Sequence, residues 1–179
     1  MVEASNKPLV TITGISGFLG AHVCLLFLQD GGYRVRGTVR STSNAAKLDP
    51  LKKAFGELYN NLELAEADLL NEESLATAIA GSTYVVHTAS PFSMSASEED
   101  LVKPAVDGTM AVVRACKTHG VKRCVITSSI AACRYGYAMD APDRPADSIF
   151  TEKHWTKPDT CGHPYLKSKM LAEKAAWDY

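Results

Sequence analysis

Short runs of β-branched and apolar residues alternate along the chain with longer stretches whose apolar positions recur every three to four residues. The first run, Leu9–Thr13 (LVTIT), reads as a buried strand, and Phe18–Asp30 as a helix with Leu19, Val23, Leu26 and Phe27 on its apolar face. The pair Gly31-Gly32 stops that helix. Residues 33–40 (YRVRGTVR) alternate as a strand does, and residues 44–58 are helix-like but interrupted by Pro50, which should start or kink the helix there. A third strand is predicted over 61–67 (NLELAEA), a helix over 72–80 ended by Gly81, and a fourth strand over 83–88 (TYVVHT). A long helical segment over 98–119 closes with Gly120, and 122–127 (KRCVIT) makes a fifth strand. Residues 130–162, rich in Pro, Asp and Ala, read as a loop rather than a linker, because helical periodicity resumes over 165–179.

Strand and helix in regular alternation imply parallel strands joined by right-handed crossovers. The expected fold is therefore an α/β, Rossmann-type doubly wound parallel sheet with helices on both faces. At 179 residues the chain suits a single layered domain spanning 1–179. Apolar residues make up 46% and charged residues 22%, which suggests neither disorder nor a membrane protein. A net charge of -1, with no basic run, argues against a nucleic-acid partner. The five cysteines are scattered without a CxxC pair and read as reduced thiols. The N-terminal stretch MVEASNKPLV lacks the basic-then-apolar pattern of a leader, and no apolar run is long enough to span a bilayer, so a cytoplasmic location without membrane association is expected.

The turn between the first strand and the first helix, Thr13-Gly14-Ile15-Ser16-Gly17-Phe18-Leu19-Gly20, carries three glycines at fixed spacing. Such a triple alone is often a plain turn. Between a first strand and a first helix, however, it offers helix N–H groups and a partial positive charge to a pyrophosphate. Gly14 permits the sharp turn, Gly17 the close backbone approach and Gly20 tight helix-to-strand packing. At the end of the second strand, where an NAD site places an acid, this chain has Arg40, followed by Ser41 and Thr42, with Lys47 beyond. A guanidinium suits a 2′-phosphate, which favours NADP(H). Asp68 and Leu69, after the third strand, are placed to cover the adenine, although Asp68 could equally cap the next helix.

In the C-terminal third, Tyr165 and Lys169 stand four apart and so share a helix face, and Ser128-Ser129 closes the fifth strand. These residues together resemble the extended short-chain dehydrogenase/reductase superfamily, and within it the dihydroflavonol reductase and cinnamoyl-CoA reductase group. The shared signatures are Gly14/Gly17/Gly20, Arg36 to Arg40, Val85 to Pro91, Thr127 to Ser129, and Tyr165/Lys169. The resemblance implies NADPH-dependent reduction of a small-molecule ketone or aldehyde. Tyr165 is the implied proton donor, and Lys169 lowers its pKa and holds the nicotinamide ribose. Ser129 orients the substrate oxygen, with Ser128 as the fallback. Cofactor contacts are implied for Gly14, Ser16, Gly17, Phe18, Leu19, Gly20, Arg40, Lys47, Asp68, Leu69, Thr88, Ala89, Ser90, Tyr165 and Lys169.

Two positions depart from the pattern. Ala105 stands where many members carry a relay Asn, and Arg134 where flavonoid-reducing relatives carry a neutral polar residue, so a flavonoid substrate is not assumed. Members of this group run well beyond this length, so most of a C-terminal substrate lobe is expected to be missing. His87 reads as a core or near-cofactor residue, the spacing of His154, Cys161 and His163 fits no metal site, and Glu98-Glu99-Asp100 is a negative first helical turn. Two rivals stay open: an NADP-binding sensor or fragment without turnover, and a hydroxysteroid dehydrogenase or epimerase of the same superfamily.

Overall fold

The computed structural model describes residues 6–91 and 97–179; the first five residues of the N-terminal stretch read above lie outside them. Two compact units are distinguished, Met1–Ser90 with Ala111–Thr127 and Pro91–Met110 with Ser128–Tyr179.

The first unit holds a five-stranded sheet in the order β3-β2-β1-β4-β5, built from β1 (Leu9–Thr13), β2 (Arg34–Val39), β3 (Leu62–Glu66), β4 (Tyr84–His87) and β5 (Arg123–Ile126). Every pairing is parallel, with β1 central: Val10 lies against Val35 on one side and Tyr84 on the other. Helices α1 (Phe18–Asp30), α2 (Ala45–Phe55), α3 (Glu72–Ile79) and α4 (Glu98–Thr118) supply the crossovers, α4 belonging to the first unit from Ala111 onward. Strand alternation divides the core. Val10, Ile12, Val35, Tyr84 and Val86 pack with Cys24 and Leu28 of α1 and Leu48, Leu51 and Phe55 of α2. Val85, with Ala65 and Cys124, packs with Leu75, Ala78 and Ile79 of α3 and Ala111, Val112, Ala115 and Cys116 of α4. A strand buried on both faces must be apolar or internally satisfied at every position, and β1 is buried throughout; its Thr11 hydroxyl meets Ser82 at 2.7 Å. This is the expected doubly wound sheet.

Three local expectations change. The buried residues of α1 are Gly20, Cys24 and Leu28, not the predicted stripe: Leu19 and Leu26 are exposed, while Val23 and Phe27 are half-buried. Small residues at i, i+4 bring this helix close to the sheet, which rotates the larger side chains outward. Helix α2 starts at Ala45, ahead of Pro50, and runs through it, because Leu48, Leu51 and Phe55 anchor the helix on both sides of the missing N–H. The helix after β3 is capped by Asn71, whose side chain accepts from Ser74 N at 3.0 Å, whereas Asp68 Oδ1 accepts from Leu70 N at 2.8 Å in a local turn. The five cysteines are free thiols, and burial pushes Cys24 up to about 12.

The second unit holds the first part of α4, a 3-10 turn at Ile130–Ala132, the loop that follows, and α5 (Pro164–Asp178). The loop is tied down. Thr156, 1% exposed, donates from its hydroxyl to Ala131 O at 2.7 Å and accepts from Tyr135 N at 2.9 Å, while its own N–H donates to Ala132 O at 2.8 Å. Among the described residues, no helix is long and apolar enough to cross a membrane.

Candidate dinucleotide and carbonyl-reduction site

The glycine turn leaves β1 at Thr13 and enters α1 at Phe18. Gly14 adopts φ +73°, and a Cβ there would lie 2.9 Å from the Cα of Ala89, so this position requires glycine twice over. A Cβ on Gly20 would lie 2.5 Å from Gly14 O and 2.7 Å from the Thr88 hydroxyl. Gly17 differs: its φ is −89° and its nearest neighbour would be Gly14 O at 3.4 Å, an ordinary contact. The packing of the described residues therefore does not demand glycine at 17. No side chain caps α1 and no acid stands in its first turn, while Ser16, Gly17, Phe18 and Leu19 are exposed. A helix start left open in this way, with no Cβ over it, is a cradle shaped for an anion.

Buried hydroxyls hold the cradle. Gly14 N donates to Thr38 Oγ1 and Ile15 N to Thr38 O, both at 3.1 Å. Thr13 Oγ1 accepts from Thr88 N at 3.2 Å and Ala89 N at 3.1 Å, and lies 2.8 Å from His87 Nδ1. With two N–H groups already donated to it, the Thr13 hydroxyl gives its proton to Nδ1, which places the imidazole proton on Nε2. His87, 3% exposed, is thus part of the strut joining β1 to β4. Thr88, Ala89 and Ser90 follow at the carboxyl end of β4, next to the turn, at the point where strand order reverses between β1 and β4.

The arginines of β2 separate by role. Arg36 donates to Ala78 O at 2.8 Å and Ala80 O at 2.9 Å, closing the end of α3, and pairs with Glu63 at 2.6 Å. Arg40 is exposed and makes no hydrogen bond or ion pair with a described residue, and the same holds for Lys47 in the first turn of α2. Beside them, Ser41 and Ser43 hydroxyls lie 2.9 Å apart, and Glu66 accepts from Thr42 N at 2.6 Å and Thr42 Oγ1 at 2.8 Å. Those bonds hold the Glu66 carboxyl below the usual range. Asp68 and Leu69, half-buried, follow β3 on the same sheet edge.

In the second unit, α5 begins on a defined note: Pro164 takes the first helical position, and His163 Nδ1 accepts from Tyr165 N at 3.1 Å. Tyr165 is half-buried, and Ser168 donates back to its carbonyl at 2.8 Å. Lys169, one turn on, is 9% exposed; burial lowers its pKa, with Glu173 acting in the opposite sense. Ser129 Oγ accepts from Ala131 N at 3.1 Å and caps the 3-10 turn, while Ser128 donates to Glu173. Sequence reasoning passed over Glu173, Thr13, Thr38 and Thr156. Thr13 and Thr38 carried a signal, polar residues inside strands expected to be buried on both faces. Among the described residues, no group of three or more His, Cys, Asp or Glu side chains is placed to hold a metal ion.

Residues 10–179 match the NAD dependent epimerase/dehydratase family. The chain is 39% identical to dihydroflavonol 4-reductase of Hordeum vulgare, covering 97% of this chain and 49% of that protein. It is also 39% identical to cinnamoyl-CoA reductase 1 of Petunia hybrida, covering 99% and 51%. Among solved structures, it is similar to yeast methylglyoxal/isovaleraldehyde reductase complexed with NADPH, with a TM-score of 0.77, 30% identity, and 95% and 52% of the two chains covered. The chain spans about half the length of the relatives it matches.

Proposed function

Since this chain belongs to the NAD dependent epimerase/dehydratase family, we propose that it is the NADP-binding Rossmann part, 1–179, of a cytoplasmic oxidoreductase that reduces a ketone or aldehyde to an alcohol in the manner of the dihydroflavonol reductases. The observation that carries the cofactor is Gly17. Nothing in the packing of the described residues excludes a side chain there, yet a Cβ would stand over the open start of α1, where the backbone must meet a pyrophosphate closely. The cations Arg40 and Lys47, unpaired among the described residues and flanked by the hydroxyls of Ser41 and Ser43, fit a 2′-phosphate. Asp68 and Leu69 border the adenine, and Thr88, Ala89 and Ser90 line the crevice beside the turn.

When bound, NADPH supplies the hydride. Tyr165 gives its phenolic proton to the carbonyl oxygen as negative charge develops on it, Lys169 keeps a positive charge one helical turn away, and Ser129 donates a hydrogen bond to the same oxygen. The reductase names of the relatives, and the NADPH complex of the yeast neighbour, support this direction of chemistry.

The test is a paired one. Arg40→Ala weakens NADPH by about 1.5–3 kcal/mol, the size of a hydrogen bond to a charged group, and leaves NADH nearly unchanged. In the form that turns over, Tyr165→Phe lowers kcat by roughly 10²–10⁴-fold, the usual size of a proton-transfer contribution. Equal loss of both nucleotides, or undiminished turnover of the phenylalanine variant, overturns the assignment. A chain that binds NADPH and reduces no carbonyl in a broad panel fits the sensor instead.

A further inference from the structure

One carboxylate in the second unit has no place in the proton donor, lysine and serine scheme, yet is bonded to the residue beside Ser129. Glu173 lies on α5 one turn beyond Lys169 and two beyond Tyr165. One of its oxygens accepts from the hydroxyl of Ser128, the residue immediately before Ser129. The other accepts from Trp177 Nε1 at 3.3 Å. Both carboxylate oxygens are engaged, so the side chain is fixed rather than free on the helix surface. Lys169, one turn back on the same helix, is 9% exposed, and its burial disfavours its charge.

From this geometry we propose that Glu173 is a positioning residue of the Ser/Tyr/Lys set: it anchors Ser128, and with it the backbone that presents Ser129, to the helix that carries Tyr165 and Lys169. Resting on the carbonyl-reduction reading above, the assignment adds a second task, holding Lys169 protonated. Within α5 the neighbours at helical spacing are Tyr165 and Glu173. The 3-10 turn packed on α5 brings Ile130, Ala131 and Ala132, which carry no charge. In the first turn of α4, Glu98 is engaged by Lys167 at 2.7 Å. Glu173, one turn along the same helix, acts on Lys169 in the sense opposite to its burial.

The sign follows directly. Removing the negative charge while keeping an acceptor for Ser128, as Glu173→Gln does, withdraws the part of the support that Glu173 gives, and Lys169 loses its proton at lower pH than in the unaltered chain. The experiment needs no turnover. The nucleotide-free 179-residue chain is pulse-labelled with acetic anhydride across a pH series, and acetylation of Lys169 is read by peptide mass spectrometry with exposed Lys153 as internal reference. The expected result is a labelling midpoint for Lys169 displaced to lower pH in Glu173→Gln, with that of Lys153 unmoved. A Lys169 midpoint that stays put or rises overturns the proposal.

Should the glutamine variant not fold, as judged by circular dichroism, Glu173→Asp serves. Its shorter side chain withdraws the charge, so the Lys169 midpoint again falls, and an unmoved midpoint again overturns the proposal. In the form that turns over, the alkaline limb of kcat/KM moves to lower pH in Glu173→Gln with the same sign as the labelling. If Lys169→Ala keeps full turnover while the labelling midpoint still responds to Glu173, the carbonyl-reduction reading fails and the electrostatic link stands. An unresponsive midpoint in a chain that turns over through Lys169 has the reverse meaning.

Discussion

Gly17 and Gly20 are the same residue type three positions apart, and the chain asks different things of them. At 20 a single methyl would collide with a carbonyl oxygen at 2.5 Å, whereas at 17 it would sit at ordinary contact distance. Gly20→Ala should therefore destabilise by about 1–3 kcal/mol, the scale of overpacking, and weaken NADPH through a shifted helix. Gly17→Ala should leave stability within about 1 kcal/mol while weakening NADPH strongly. Urea unfolding beside nucleotide titration separates the two; a Gly17→Ala chain that binds NADPH normally removes the argument for a ligand over the helix start. Arg36 and Arg40 give the same lesson. Both stand in the VRGTVR run, but one is spent on the carbonyls ending α3 and the other has no partner among the described residues. Arg40 was legible from its place at the end of the second strand and Arg36 only as part of a family resemblance; the bonds each makes distinguish them.

Among the elements, strands and helices lay close to where periodicity placed them, because each strand is buried by helices on both sides and each helix needs one apolar face. Side-chain rotation about α1 was less legible. The pattern favoured the large residues Leu19 and Leu26, but the close approach permitted by Gly20 and Cys24 decides the buried face. The segment after the 3-10 turn was legible as a loop rather than a linker, but not what holds it, since a threonine in an aperiodic stretch carries no signal. Thr156 holds it with three hydrogen bonds, two of them through its hydroxyl. Thr156→Val keeps the shape and removes the hydroxyl, leaving Tyr135 N and Ala131 O without their partner. A loss of about 1–3 kcal/mol is expected, with faster proteolysis in the segment that follows the 3-10 turn. Unchanged stability and unchanged cleavage would show that the loop is held by something else.

At the scale of the whole molecule, the strand order 3-2-1-4-5 puts the glycine turn, Arg40 and the Thr88 to Ser90 segment at the carboxyl ends of neighbouring strands. The first unit contains both hydrophobic clusters, so its fold does not wait for a ligand. A nucleotide that binds only the folded chain must then stabilise it by mass action. At a hundred times its Kd, NADPH contributes about 2.7 kcal/mol, which for a chain of this size is a rise of roughly 5–10 °C in Tm. The rise should grow with the logarithm of concentration and shrink in Arg40→Ala; a melting curve indifferent to NADPH contradicts the cofactor assignment. What the sequence could not convey was the pairing of distant residues, such as Ser128 with Glu173 or Thr13 with His87, since neither spacing nor composition encodes which side chains meet across a fold.

The contact between Gly14 and Ala89 makes two distant signatures a single mechanical part. The bend after β1 and the end of β4 share one van der Waals boundary, with the Thr13 hydroxyl bolted across it. Variation at 88–90 therefore reshapes the phosphate seat as surely as variation in the seat itself. A larger side chain engineered at 89 to admit a new substrate should reveal itself first as a change in coenzyme affinity.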